Sequence, residues 1–160
     1  LTELARVQGF SVLAAAAFIG EHSFSSKELP VAHGRPDASD LERAQDFGRK
    51  IREKLAAGFT GEIKVPGNSP YRDGMPNLPF TPLVATENCT ECEQCIALCP
   101  TGAIRLSDTI LIDPGSCTFC CSCLKVCPEE CISLGNSPMA EKAEWLHLNC
   151  SKRKEPELFF

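Results

Sequence analysis

Eight of the eleven cysteines follow one spacing pattern that occurs twice in the sequence. The runs are CTECEQCIALCP at Cys89–Pro100 and CTFCCSCLKVCP at Cys117–Pro128, and each follows the pattern C-x2-C-x2-C-x3-C-P. Every cysteine of the first run recurs 28 residues later, and so does apolar Ile104, as Ile132. A shared offset at ligating and apolar positions indicates a duplicated structural unit. Thiolates at this spacing bind cubane iron–sulfur clusters, so the pattern predicts electron transfer.

The order of the cysteines predicts which four bind each cluster. A cubane cluster has four irons, and each iron takes one thiolate. Three cysteines with two residues between neighbours can wrap three irons, but the fourth cysteine of the same run could reach the cluster only with strain. In this pattern the fourth cysteine binds the cluster of the other run. We therefore predict site 1 from Cys89, Cys92, Cys95 and Cys127, and site 2 from Cys117, Cys120, Cys123 and Cys99.

Each run also predicts a short helix between the two clusters. Cys95 and Cys99 are four residues apart, which would place them on one face of a helix. The second run repeats this spacing. We expect Pro100 and Pro128 to end these helices, because proline lacks the N–H that a helix interior requires.

Short apolar segments flank both runs and predict strands. Residues 107–109, Ser-Asp-Thr, form a natural hairpin turn between the middle two segments. The module is therefore predicted as strand, cluster loop, helix and strand, twice over. The four segments are Leu83–Ala85, Ile104–Leu106, Ile110–Ile112 and Ile132–Leu134.

Zinc and disulfide bonds are the alternatives for these cysteines. Structural zinc takes four ligands, usually from two separated pairs, which two runs of three cysteines plus one fit poorly. A disulfide framework suits small secreted domains. Here no signal peptide is visible, and most of the cysteines lie in one short stretch.

Three cysteines fall outside the repeated pattern. Cys121 corresponds to Glu93 of the first run and Cys131 to Ala103, so neither position requires sulfur for ligation. We expect both to be small buried residues or spare thiols near a cluster. A redox sensor tuned by one of them is a further alternative. Cys150, in a polar C-terminal stretch, is expected to be an ordinary thiol.

The net charge of −5 comes from the cysteine-rich segment. Residues 87–135 carry seven acidic side chains against Arg105 and Lys125, whereas acids and bases balance elsewhere. An acidic surface suits docking to a basic redox partner and argues against nucleic acid. Simple solubility is the other interpretation.

Membrane insertion is not expected, and the cytoplasm is the expected compartment. The apolar run Phe10–Ile19 has about half of the ~20 residues that span a bilayer. Cysteines that must remain thiolates also require a reducing compartment.

The N-terminal third predicts part of an α/β domain. Residues 1–8 are expected to be the end of a helix, and Phe10–Ile19 a strand buried on both faces, as in a parallel sheet. Ser39–Ala57 is predicted as an amphipathic helix with a capping box of Ser39 and Glu42. One strand and one helix cannot complete a sheet, so we interpret residues 1–59 as the last part of a larger domain. Residues 60–82, with five prolines, are predicted as a linker.

The chain resembles two known families. The paired cysteine runs resemble two-cluster bacterial ferredoxins over about fifty residues. Residues 17–24 with Gly34-Arg35-Pro36-Asp37 look like the closing strand, loop and helix of a flavodoxin-like domain. With the linker GNSPYRDG (Gly67–Gly74) and the tail KEPELFF (Lys154–Phe160), the chain is similar to bacterial and archaeal proteins that fuse a flavodoxin-like domain to a ferredoxin module.

This resemblance implies an α+β fold. Its core would be a ferredoxin-like two-cluster module, a pseudo-two-fold β-α-β repeat, preceded by the C-terminal strand and helix of an incomplete flavodoxin-like α/β domain. The predicted divisions are 1–59 for the flavodoxin-like part, 60–82 for the linker, 83–135 for the two-[4Fe-4S] module and 136–160 for a C-terminal tail.

The resemblance also implies a function and its cofactors. We expect a protein with two [4Fe-4S] clusters that shuttles electrons between a flavin and a redox protein partner. The phosphate-cradling loop of flavodoxins is missing, so FMN is expected only in a full-length protein. The alternative is a subunit or fragment of a flavin-dependent iron–sulfur oxidoreductase acting on a small substrate. No catalytic residue is predicted, and an electron carrier is favoured over an enzyme.

His22 and Ser23 are the remaining candidates for a site. They follow the predicted strand at its carboxyl end, where α/β sheets bind ligands. The other interpretation is a hydrogen bond that braces the loop.

Overall fold

The computed structural model describes residues 1–59, 61–68, 70 and 80–160. Their short helices and strands are compatible with the predicted α+β class. The chain forms two compact units: unit 1 comprises Leu1–Glu21, Ala32–Asp73 and Lys152–Phe160, and unit 2 comprises His22–Val31 and Gly74–Ser151. Most of the linker motif at 67–74 lies outside the described residues, and the domain divisions drawn from the sequence stay predictions.

Unit 1 contains one pair of strands. β1 (Ala15–Ala17) pairs antiparallel with β6 (Glu157–Phe159), with Ala16 opposite Leu158. A strand does lie within Phe10–Ile19, as predicted. The predictions that it is buried on both faces and belongs to a parallel sheet are wrong. β1 is half-buried to exposed, because its partner in the described chain is a single antiparallel strand from the C-terminal end.

The long helix of unit 1 begins earlier than the sequence indicated. α2 spans Ala38–Ala56, and its N-cap is Asp37 rather than Ser39. The carboxylate of Asp37 accepts a hydrogen bond from the Asp40 N–H at 3.0 Å, and that of Asp40 accepts one from the Asp37 N–H at 2.9 Å. The capping box is therefore Asp37 with Asp40, not Ser39 with Glu42. The shorter helix α1 spans Thr2–Val7.

A buried ion pair holds the start of α2. Asp40 is only 1% exposed, and both of its carboxylate oxygens accept hydrogen bonds from Arg35. The hydrogen bond from Arg35 outweighs burial and holds the pKa of the Asp40 carboxyl well below its usual value. Arg35 also donates to the carbonyl of Lys154, and Arg153 donates to Asp37 at 2.6 Å. The C-terminal segment is thus tied to the helix start.

Unit 2 contains two further antiparallel strand pairs. The predicted hairpin is confirmed: β3 (Ile104–Leu106) pairs with β4 (Ile110–Ile112). Its turn is closed by a 3.0 Å hydrogen bond from the N–H of residue 107 to the carbonyl of residue 109. β2 (Leu83–Val84) pairs with β5 (Ile132–Ser133), both within predicted segments. The helices of this unit are α3 (Gln94–Ala97), α4 (Ser122–Val126) and α5 (Pro138–Cys150), the last of which the sequence analysis did not predict.

The core of unit 2 is small and contains sulfur. Ile104, Ile110 and Ile132 are buried against one another. The remaining buried members of the cluster are Cys95, Cys123 and Cys131. Half of this core is therefore cysteine, which a small module can tolerate if metal binding supplies folding energy. In the part of the chain that is described, no helix is long and apolar enough to cross a membrane.

Candidate metal centre

Two cysteine-lined cavities lie in unit 2. Each takes three cysteines from one run and the fourth from the other. The site 1 cavity is lined by Cys89, Cys92, Cys95 and Cys127. The site 2 cavity is lined by Cys117, Cys120, Cys123 and Cys99. The structure thus brings each predicted quartet together, while ligation itself stays a prediction.

The backbone around the two cavities repeats with the 28-residue offset of the sequence. Around the cavities, residues with a positive φ occur in pairs that are 28 residues apart. This left-handed backbone conformation is costly for residues with a Cβ. The pairs are Glu91 and Phe119 (φ +55° and +53°), Glu93 and Cys121 (+58° and +61°), and Gly102 and Glu130 (+64° and +49°). Left-handed residues between the first cysteines curl the chain, so that successive thiols face one cavity.

The predicted position of the fourth cysteine within a helix is wrong. α3 ends at Ala97, two residues before Cys99, and α4 ends at Val126, one residue before Cys127. Cys127 is extended (φ −69°, ψ 113°) because the residue before a proline is sterically excluded from helical geometry. Because α3 ends before Cys99, Cys95 and Cys99 do not lie on one helix face, and they line different cavities.

Backbone N–H groups surround the sulfur of Cys99. The N–H of Ala103 donates to its Sγ at 3.3 Å. Burial alone would raise the pKa of the Cys99 thiol, but hydrogen bonds from residues 101–104, including Thr101 and Ile104, lower it. A lowered pKa favours the thiolate, which is the form that binds metal.

Cys127 has the equivalent surroundings. Its pKa is also lowered, because donors outweigh burial. These are the Cys131 thiol and the backbone N–H groups of Glu129, Cys131 and Ile132, which lie 28 residues after those at Cys99. At both Cys99 and Cys127, hydrogen bonds from the turn that follows the cysteine therefore lower the pKa of its thiol.

The third cysteine of each run is held differently. Cys95 and Cys123 are each 8% exposed. Burial raises the pKa of both thiols, that of Cys123 to about 11. Binding a metal at these positions would release protons, because the ligand is the thiolate.

Two cysteines outside the pattern also line the cavities. Cys121, 2% exposed, lines the site 2 cavity, and Cys131, 6% exposed, lines the site 1 cavity. Burial raises the pKa of each thiol to about 12. The prediction that they are buried is confirmed. The sequence analysis missed that the Sγ of Cys131 lies 3.3 Å from that of Cys127, although its four-residue separation was a signal.

The other candidate residues stand outside these cavities. His22 Nδ1 accepts a hydrogen bond from the Phe24 N–H at 3.1 Å, which is the bracing role considered from the sequence. Ser23 lies in the same loop. Cys150 is the half-buried last residue of α5.

The donor set fits a cluster better than one ion. Among the described residues, no three of His, Cys, Asp or Glu converge closely enough to hold a single metal ion. A cubane needs no such convergence, since each of its four irons takes one thiolate. Four soft thiolates around one cavity are the donors that iron–sulfur clusters use.

Comparison with known proteins supports this chemistry. The model of a 4Fe-4S binding domain matches residues 82–105, which include the whole first cysteine run. The chain therefore contains a ferredoxin-type iron–sulfur module, whose function is electron transfer. A comparison with curated proteins finds no match to this chain.

Proposed function

We propose that this protein carries electrons through two [4Fe-4S] clusters, one at each site. The observation that carries the proposal is the crossed lining of the two cavities. Each is lined by one complete predicted quartet, and each quartet combines both runs. Both runs have the full ligand set, so a module with only one cluster would leave four converging cysteines without a role.

The clusters, when bound, supply one-electron chemistry, and the chain fixes where and how easily it occurs. Cys95 and Cys99, four residues apart, line separate cavities, so a very short stretch of chain links the sites. The N–H donors at Cys99 and Cys127 withdraw charge from sulfur, which favours the reduced state of a bound cluster. Acid–base catalysis is not required of any of these residues.

We further propose that a basic redox protein docks beside site 1. All seven acidic side chains of residues 87–135 are exposed. Glu93 and Glu129 line the site 1 cavity, whereas the equivalent residues at site 2 are Cys121 and Thr101. The carboxylates are therefore concentrated at one of two otherwise similar sites, where they would steer a cationic partner.

This docking can be tested with cytochrome c as a basic electron acceptor. The reduction rate should fall with rising ionic strength, because salt screens the attraction. Glu93→Gln with Glu129→Gln should flatten that dependence. Thr118→Gln at site 2 is the control, because it changes a side chain that lines the cavity but removes no charge. Equal salt dependence in all three proteins would exclude docking beside site 1.

Electron exchange with a flavin rests on the resemblance to flavodoxin–ferredoxin fusions. We propose that the flavin belongs to a full-length protein and that this chain receives or supplies its electrons. FMN titrated with this chain should accordingly keep its fluorescence. Quenching at micromolar protein would mean that residues in these 160 bind the flavin themselves. The cytoplasm remains the proposed compartment, since the ligands must stay reduced.

Anaerobic reconstitution with iron and sulfide is the decisive experiment. We expect about eight iron and eight acid-labile sulfide per chain. Cys92→Ala and Cys120→Ala, which remove equivalent ligands, should each lower the count for one site only. Four metal ions without sulfide, or zinc instead of iron, would overturn the proposal.

A further inference from the structure

We propose that Cys131 is an alternative fourth ligand of site 1, able to replace Cys127. This inference rests on the proposed function, because it concerns how site 1 retains a cluster. The two sulfurs lie 3.3 Å apart, and both residues line the same cavity. Site 1 therefore has five thiols around it, one more than four irons require.

Local structure keeps the two thiols together. Cys127 and Cys131 begin and end a tight turn, in which the Glu130 N–H donates to the Cys127 carbonyl at 3.2 Å. Cys131 is followed at once by β5, and it belongs to the buried core with Cys95. Its position is thus fixed by packing. The sulfur held there stays beside the Cys127 sulfur at the site 1 cavity.

Site 2 lacks this option. The residue equivalent to Cys131 is Ala103, whose side chain cannot bind metal. The spare thiol of site 2, Cys121, occupies a different position in the repeat, and its sulfur lies 3.5 Å from the carbonyl oxygen of Phe119. The two sites therefore differ at the position that follows the fourth cysteine by four residues.

The exchange changes ligands and moves one proton. The sulfur of Cys131 would replace that of Cys127 as the thiolate holding one iron, so that one sulfur–iron bond would form for the one that breaks. The proton of the Cys131 thiol passes to the sulfur of Cys127 across their contact. No electron is gained or lost, so neither an oxidant nor a reductant is required.

The test compares Cys127→Ala with Cys99→Ala. These substitutions remove equivalent ligands from the two sites. After anaerobic reconstitution, Cys127→Ala should retain about eight iron and eight sulfide per chain, whereas Cys99→Ala should lose iron from site 2. Electron paramagnetic resonance should show a three-iron signal, if one forms, only in Cys99→Ala. Cys131→Ala alone should keep the wild-type count.

Two outcomes separate the inference from the proposed function. A wild-type protein without eight iron would defeat the two-cluster proposal itself. A wild-type protein with eight iron, beside a Cys127→Ala variant that loses as much iron as Cys99→Ala, would overturn only the ligand exchange. The double variant Cys127→Ala with Cys131→Ala should match Cys99→Ala, and iron retention in it would mean that another group replaces Cys127.

A second measurement avoids the loss of a predicted ligand. Iron release to a chelator is followed in the wild type, in Cys131→Ala and in Cys150→Ala, the control that removes a thiol lining neither cavity. We expect release from Cys131→Ala to be at least about twofold faster, because recapture by Cys131 is lost, and Cys150→Ala to resemble the wild type. Equal release rates for wild type and Cys131→Ala would overturn the inference even where Cys127→Ala does not fold.

Discussion

Gly135 packs so closely against Leu83 that a Cβ at position 135 would overlap the Leu83 side chain. Gly135 also has a left-handed backbone, with φ +56°. It lies two residues after the end of β5, and β5 pairs with β2, so the contact lies at the end of this strand pair.

Gly135→Ala is expected to destabilise unit 2 by about 1–2 kcal/mol, because alanine is strained at this φ. The overlap adds less, since Leu83 is exposed and can move. The midpoint for thermal loss of cluster absorbance should fall. Gly102→Ala, where φ is +64° and the added Cβ meets nothing, is the control for backbone strain alone. Gly135→Ala no less stable than Gly115→Ala would contradict the strain argument.

Removing the carboxylates beside site 1 should raise the reduction potential of that site. A unit charge about 10 Å away in a medium of high dielectric contributes roughly 0.4–0.8 kcal/mol, on the order of 20–35 mV for one electron. Glu93→Gln with Glu129→Gln should therefore shift one of two waves in a redox titration upward. Asp108→Asn, in the β3–β4 turn, removes a charge that lines neither cavity. If the two waves shift by the same amounts in Asp108→Asn as in the Glu93→Gln, Glu129→Gln variant, the shift reflects net charge and not the position of the carboxylates.

Asp40→Asn should loosen the start of α2 at neutral pH. The pKa of Asp40 is lower in the folded protein than its unfolded value of about 3.9, because Arg35 donates to both oxygens. Its contribution is fully present above that value and is lost as the pH falls further toward the folded pKa. Hydrogen exchange in α2 should therefore be faster in the variant at pH 5–7, and the difference should shrink below about pH 4.

Glu42→Gln is the control for this experiment. Glu42 is exposed, and it would cap the helix only if the helix began at Ser39. Exchange in α2 should be unchanged by this substitution. An effect as large as that of Asp40→Asn would argue for the cap expected from the sequence.

Cys121→Ala should leave the cluster content intact. Cys121 lines the site 2 cavity, but its sulfur lies 3.5 Å from the Phe119 carbonyl oxygen, and the equivalent residue at site 1, Glu93, supplies no sulfur. Iron and sulfide counts and the visible spectrum should match the wild type. Loss of site 2 iron would mean that Cys121, and not one of its neighbours, is the ligand.

Each quartet of cysteines predicted from the sequence lines one cavity, because the spacing of these cysteines is local and duplicated. A loop of fixed length can present its thiols in few ways, so the 28-residue offset carried over into backbone conformation, as at Glu91 and Phe119. The hairpin between Ile104 and Ile112 was predicted for the same reason, since its strands and turn are contiguous.

Features that depend on distant residues were not predicted. Both Asp37 and Ser39 are good N-caps, and the choice is made by Arg35, which buries Asp40 within unit 1. β1 pairs with a strand about 140 residues away, which no local pattern around Ala16 reveals. The contact between the sulfurs of Cys127 and Cys131 was not predicted, because it depends on the turn that the chain makes between these two residues.

The interleaved lining of the two cavities has a consequence for biosynthesis. Because the site 1 cavity needs Cys127 and the site 2 cavity needs Cys99 together with the second run, neither is complete while translation has reached only β4. A nascent chain that ends between Ile112 and Cys117 has the four thiols of the first run, but neither cavity has its full set of cysteines. On the proposed ligation, iron and sulfide could therefore enter site 2 only after residue 123 has left the ribosome, and site 1 only after residue 127.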